Sequence, residues 1–230
     1  GDCHVGGEPG LAELVWQTVT DDAFEATTAG KAAAAAASVH VVIVPTLVDD
    51  DEPDLSIVED VAADVAAGLE PGDLVVFEST LPPRTCRDVL LPLLEDQSGL
   101  KLGEFGLAFC PERTSSGRAL EDIRGAHPKI VGGADAESAR AAELVYDEIT
   151  DNDVVRVSDA TTAESVKVFE GVYRDVNIAL ANELARHGDR LGIDVVEAIE
   201  AANGQPYCDI HDPGAGVGGH CIPYYPHFLI

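Results

Sequence analysis

The sequence predicts an α/β protein: a parallel sheet with helices on both faces up to about residue 158, then a helical segment over 159–230. Three observations carry this. Short apolar runs alternate with helix-length stretches through the first part, the pattern of a parallel sheet built from crossover units. A hydrophobic fraction of 46% is enough for a sizeable core. From Thr161 the apolar residues recur at three- and four-residue steps, which marks a long amphipathic helix.

Taken in order, residues 10–19 (GLAELVWQTV) and the alanine run at 31–37 read as helices. HVVIVPT (40–46) is a continuous apolar run ending in Pro-Thr, as expected of a strand buried on both faces. A helix follows over 56–68, with Ser56 as its N-cap and Gly68 near its end. LVVFEST (74–80) reads as a second buried strand. A helix at 86–95, strands at 105–109 and 129–131, a helix at 136–149 and a strand at 154–157 complete the series. In such sheets ligands sit beyond the carboxyl ends of the strands, where Thr46 and Thr80 fall. Threonine after a strand is also ordinary loop chemistry, so neither residue is decisive alone. In the second part Val166, Phe169, Tyr173, Val176, Leu180 and Leu184 form one helical stripe. Gly192 ends that helix, and Asp194 caps another reaching Ala202.

The formal charge is -28, from 42 acidic and 14 basic residues. Such a surface repels nucleic acid and anionic membranes, and no apolar run approaches the length of a membrane span. The acid-rich, lysine-poor composition resembles cytoplasmic proteins of salt-loving organisms, where a screening length of about 3 Å at 1 M salt leaves only local charges to act. Five scattered cysteines without framework spacing fit a reduced, intracellular compartment. The chain holds no methionine, begins at Gly1 and stops in an apolar Phe228-Leu229-Ile230, which reads as truncation at both ends.

Two motifs mislead. Gly214-Ala-Gly216-Val-Gly218-Gly219 matches G-x-G-x-x-G, but the flanking CDIHDP and HCIPYYP offer neither the strand nor the helix that a pyrophosphate site needs. Cys208, His211, His220 and Cys221 are possible zinc ligands, yet their spacing is not that of a zinc knuckle, and no metal is expected. What remains is PGAGVGGHCIPYYPHFL (213–229), a glycine-rich loop that delivers a cysteine. Glycines let a backbone press close to a ligand, prolines stiffen the loop, and the thiol becomes a candidate nucleophile.

That segment resembles the signature of the UDP-glucose/GDP-mannose dehydrogenase family. So do EPGLAEL (8–14), VIVPT (42–46), FESTLPPRT (77–85), FCPERTSSGRALEDI (109–123) and AESVKVFEGVYRDVNIALANELA (163–185), in the family's order. The resemblance implies a Rossmann-like NAD-binding domain over 1–158, lacking its first strand–helix unit. It also implies a central helical segment over 159–230 that dimerises through the helix at 162–190, and a UDP-binding domain beyond the end. It implies oxidation of a nucleotide sugar at C6 to the uronic acid with two NAD+. Cys221 is then the nucleophile, Lys167 the oxyanion-stabilising ammonium and Glu112 the positioner of a base or water. Thr80 lies on the nicotinamide or water side and Thr46 on the cofactor side. Arg113, Gly218, Gly219 and Tyr225 are candidate substrate contacts; Arg113 and Arg118 are equally at home as solvated loop arginines, and Lys167 as a surface lysine paired with Glu164 or Glu170. Asn182 and Glu183 read as structural.

Two positions depart from the common family pattern. Gly171 stands where many members have asparagine, and Tyr225 where many have aspartate. Glycine inside a helix costs about 1 kcal/mol relative to alanine, so something is expected to approach closely there: Tyr225 or a neighbour, occupying the vacated space with its hydroxyl in place of the lost polar group. Arginine after Glu112 resembles members acting on UDP-N-acetylhexosamines, particularly the N-acetylmannosamine type, ahead of UDP-glucose. A two-electron β-hydroxyacid dehydrogenase, which has no use for Cys221, and a non-catalytic binding or dimerisation module are the competing readings.

Overall fold

The computed structural model describes residues 6–219 and 221–229, so Cys3, His220 and Ile230 lie outside the described residues. Two compact units divide the chain, one holding the residues up to Lys167 except Asp50–Glu52, the other Asp50–Glu52 with the residues from Val168 onward.

The first unit opens with α1 (Leu11–Thr20) and the short α2 (Gly30–Ala34). Strand β1 (Val39–Val42) follows, then a small ribbon of β2 (Leu47–Asp49) and β3 (Glu52–Asp54). Next come α3 (Ser56–Ala66), β4 (Leu74–Phe77), a π-helical turn Cys86–Leu90 running into α4 (Leu91–Ser98), and β5 (Gly106–Phe109). After α5 (Ala119–Glu121) and a second π-helical turn, β6 (Lys129–Gly133), α6 (Ala136–Asp147) and β7 (Val154–Arg156) complete the sheet. Its order is β1-β4-β5-β6-β7.

Period-two alternation divides the core between the two faces of the sheet. Val75, Phe77, Leu107 and Phe109 pack with Val58 and Val65 of α3 and with Leu90 and Leu94. Leu74, Val76, Ala108 and Val131 pack with Ala142 and Tyr146 of α6. Helices therefore cover both faces, as predicted.

Three details differ from the expectation. The sheet is mixed: β1, β4 and β5 run parallel, β6 runs antiparallel to β5, and β7 parallel to β6. The short α5 and π-helical turn between β5 and β6 do not carry the chain across the sheet, so it turns back at the carboxyl end of β5. Strand β1 is shorter than predicted and forms the sheet edge, with His40 and Val42 buried but Val39 and Val41 exposed. Ser56 is not the cap of α3, since it is Asp54 Oδ1 that accepts from the Ser56 N–H at 2.9 Å. At the end of β6, Gly132 and Gly133 are forced by crowding. A Cβ on Gly132 would stand 2.7 Å from Ala163 Cβ, and one on Gly133 2.8 Å from Ala139 Cβ.

Helix α7 runs unbroken over Ala160–Leu191, and Gly192 with φ 69° stops it. Its first turns belong to the first unit, where Ala160 and Ala163 join the core. The second unit adds α8 (Val195–Asn203), which Asp194 caps through Oδ1 on the Val196 and Glu197 N–H groups, as the sequence indicated. The apolar stripe of α7 faces outward: Phe169, Tyr173, Val176 and Leu180 are exposed, while Ala181 and Gly188 are buried.

Candidate active site

The parallel strands deliver three loops to one edge of the sheet. Beyond β1 and β4, Ser79 Oγ donates to the Val44 carbonyl and accepts from the Val44 N–H, both at 2.8 Å. Thr46 Oγ1 donates to the Thr80 carbonyl at 2.6 Å. The two threonines singled out from sequence are thus joined side by side, each half-buried. Beyond β5, the Glu112 N–H donates to the Glu78 carbonyl at 3.1 Å and holds the Pro111–Thr114 turn against the end of β4.

Lys167 reaches this edge from α7. Its Nζ donates to the Glu112 carbonyl and lies 3.7 Å from Glu112 Oε2, with the lysine side chain only 12% exposed. The structure therefore brings two predicted residues together from distant parts of the first unit. Glu164, one turn before Lys167, is buried and does not pair with it. Its carboxylate accepts from the main-chain N–H groups of Arg84 at 2.5 Å and Cys86 at 2.7 Å, so it fastens the segment after Thr80 to α7. Burial pushes the Glu164 carboxyl up to about 7, against the lowering effect of those donors. Cys86, sealed beside it, has its thiol pushed well up by burial and so is not a nucleophile.

Two further carboxylates escaped the sequence reading. Glu8 accepts from the N–H groups of Gly117 at 2.6 Å and Ala119 at 2.9 Å, which pins the 109–123 segment and holds its carboxyl below the usual range. Glu78 accepts from Lys129 Nζ at 2.9 Å and from the Tyr146 hydroxyl, while Lys129 lies 4.4 Å from the Tyr146 ring centre. This cluster lines a cavity of about 240 Å³ with Val41, Ile43 and His127. Arg113 donates to the Pro128 carbonyl, and Arg118 pairs with Glu121 at 3.0 Å and Asp122 at 3.6 Å.

In the second unit Cys221 is exposed on a turn, its carbonyl accepting from the N–H groups of Tyr224 at 3.0 Å and Tyr225 at 3.3 Å. It borders a recess of about 350 Å³ with Gly218, Gly219, Ile178 and Arg174, the last a cation the sequence reading passed over. The loop that leads there is tied down by asparagines. Asn177 donates to the Asp209 carbonyl at 2.6 Å and accepts from the His211 N–H at 3.0 Å. Asn182 accepts from the Gly214 N–H at 2.9 Å, in keeping with a structural role. Gly214–Gly219 itself is irregular, and among the described residues neither a strand precedes it nor an α-helix follows it. Among the described residues no group of three or more His, Cys, Asp and Glu could hold a metal ion.

Residues 1–150 match the NAD binding domain of the UDP-glucose/GDP-mannose dehydrogenase family, and residues 161–230 match its central domain. UDP-N-acetyl-D-mannosamine dehydrogenase of Pyrococcus horikoshii is 42% identical over 194 residues, covering 84% of this chain and 46% of that protein. NDP-N-acetyl-D-galactosaminuronic acid dehydrogenase of Ralstonia solanacearum is 38% identical over 231 residues, covering 97% of this chain and 53% of its own. A solved structure of the Pyrococcus horikoshii UDP-D-ManNAc dehydrogenase superposes with a TM-score of 0.93 at 37% identity, covering 100% of this chain and 54% of that one. The chain spans about half the length of the relatives it matches.

Proposed function

Because the chain belongs to the UDP-glucose/GDP-mannose dehydrogenase family, we propose that the full-length protein oxidises a UDP-N-acetylhexosamine, foremost UDP-N-acetylmannosamine, at C6 to the uronic acid with NAD through a covalent adduct on Cys221. The observation that carries this reading is the Lys167–Glu112 pair at the carboxyl edge of the sheet, an ammonium and a carboxylate held together in a largely shielded setting. The Arg113 that follows Glu112, and the names of the two relatives, favour an N-acetylhexosamine over glucose.

The residues present fit the cofactor in part. Thr46 and Thr80 place hydroxyl groups beyond β1 and β4, at the edge where dinucleotides lie in such sheets. The G-x-G-x-x-G at Gly214–Gly219 has the wrong surroundings, so the diphosphate contact is assigned to no residue of this chain. Bound NAD+ supplies the hydride acceptor for each oxidation.

The roles of the chain's residues follow from charge. As the C6 alcohol loses its proton, Lys167 stabilises the negative charge growing on oxygen, since an ammonium in a water-poor setting acts far more strongly than in bulk water. Glu112 takes up the proton, directly or through water. The Cys221 thiolate then adds to the aldehyde carbon, and the resulting thiohemiacetal oxygen drives out the second hydride. That leaves a thioester, which water cleaves at the C–S bond to the carboxylate and free thiol. The balance is two hydrides lost and one water consumed. Gly218 and Gly219, beside Cys221, allow the sugar to approach the backbone.

The same reading pairs two copies of the protein through α7, whose outward Phe169, Tyr173, Val176 and Leu180 make a long apolar stripe. The test of the chemistry is Cys221→Ser in the full-length protein, supplied with UDP-N-acetylmannosamine and NAD+. Uronate formation should be lost while the first oxidation persists. Uronate at the parental rate would overturn the covalent mechanism, whereas a parent protein that stops after one hydride transfer would favour a two-electron dehydrogenase.

A further inference from the structure

Gly171 lies inside α7, where nothing about the backbone asks for glycine: alanine would improve local helix stability by about 1 kcal/mol. The reason is steric. A Cβ at this position would stand 2.5 Å from Tyr225 Cε2 and 2.7 Å from Tyr225 Cγ, and closer still to Cδ2, inside the edge of the ring. Tyr225 is 8% exposed, and its ring also meets Phe228, with centroids 6.2 Å apart. Its own N–H donates to the carbonyl of Cys221. The ring is thus seated in a notch of the helix, and the turn that it anchors begins at the thiol.

We propose that Gly171 and Tyr225 form an interlock that fixes the Cys221 turn on α7, which makes Tyr225 a positioning residue for the thiol in place of a direct substrate contact. The inference rests on the proposed role of Cys221. It also accounts for the two departures from the family pattern as one: the helix has given up its side chain at 171 so that the ring at 225 can occupy the space. The two positions face each other in one contact, and the ring at 225 could not be seated as it is with a side chain at 171. Misplacement of a reacting group by about 1 Å can cost about a hundredfold in rate, so the notch has catalytic consequences without touching substrate.

The test uses the full-length protein and four variants: Gly171→Ala, Tyr225→Ala, Tyr225→Phe and the Gly171→Ala/Tyr225→Ala double. Gly171→Ala and Tyr225→Ala should each lower kcat for uronate formation about a hundredfold, with KM for the nucleotide sugar within about threefold, because the sugar's main contacts are untouched. Tyr225→Phe keeps the ring and should stay within about threefold of the parent in kcat. The double variant should be no worse than Tyr225→Ala, because both changes break one contact. Hydrogen–deuterium exchange, which needs no turnover, should speed up in the 221–228 peptide in Gly171→Ala and Tyr225→Ala but not in Tyr225→Phe. Normal kcat and unaltered exchange in Gly171→Ala, or losses that multiply in the double variant, would overturn the interlock. If Gly171→Ala fails to fold, the contrast between Tyr225→Ala and Tyr225→Phe decides alone. Should Cys221→Ser retain uronate formation, the thiol chemistry falls, and the exchange data still judge whether the ring holds the turn.

Discussion

Glu164 offers the sharpest quantitative test of the structure. Its carboxyl is fully buried and pushed up to about 7, with burial as the main cause and Asp159 adding to it, while the Cys86 and Arg84 donors pull the other way. In the unfolded chain it titrates near 4.5. A carboxyl whose folded value is raised binds its proton more tightly in the native state, so it contributes stability that is fully present below 4.5 and is lost as pH rises through about 7. At about 1.4 kcal/mol for each tenfold gain in proton affinity, the whole effect is on the order of 3 kcal/mol, most of it between pH 5 and pH 8. Carboxylates with lowered values, such as Glu8, Asp54 and Glu95, act in the opposite sense but at more acid pH, so they do not mask this window.

The assay compares the parent with Glu164→Gln by urea unfolding at pH 5, 6, 7 and 8 in constant high salt. The amide cannot titrate and has one acceptor oxygen for two N–H donors, an initial cost of about 1–3 kcal/mol. The parent should lose about 2–3 kcal/mol across the range relative to the variant, so the gap between the two narrows as pH rises. A stability difference that stays constant from pH 5 to pH 8 would refute the argument, because it would mean that Glu164 carries the same charge in both states throughout.

Other expectations can be checked more briefly. Phe77→Ala, at a fully buried position of β4, should cost about 3–5 kcal/mol in urea unfolding. Val176→Glu puts a charge in the middle of the outward stripe of α7 and should shift the protein toward monomer in sedimentation velocity without loss of helical circular dichroism. Lys167→Ala should lower kcat by about 100- to 1,000-fold with the fold intact, as measured by steady-state NADH formation. With a formal charge of -28, the unfolding midpoint should rise steadily between 0.1 M and 2 M potassium chloride, and a flat profile would argue against adaptation to salt.

How much of this was legible depends on how local the cause is. Strand β4 was readable because Leu74–Phe77 is apolar at every residue, which only a strand covered on both faces can use. The Asp194 cap and the Gly192 stop were readable because each acts on its immediate neighbours. The reversal of β6 was not, since strand direction depends on the path of the loop and leaves no mark on strand composition. Lys167 and Glu112 were named through the family resemblance, because spacing alone cannot distinguish a lysine that crosses to another loop from one that pairs along its own helix. Glu164 had no signal at all: its partners are backbone N–H groups, which every residue except proline possesses.

The case of α7 goes further, because its periodicity was real but left open what the stripe would meet. A stripe at three- and four-residue steps identifies a face, but not which neighbour that face meets. Close approach of a backbone or a ring requires small side chains, so the side of α7 that packs most tightly within the chain carries Ala163, Gly171, Ala181 and Gly188, while the large apolar residues remain outside. Burying Phe169, Val176 and Leu180 is worth roughly 1.5–3 kcal/mol each, the stabilisation that the proposed pairing of two copies through this face would draw on. The small residues therefore serve separate contacts, Gly171 seating the Tyr225 ring of the Cys221 turn, Ala163 meeting Gly132 and Gly188 meeting Val195, while the large ones form the face proposed to pair two copies.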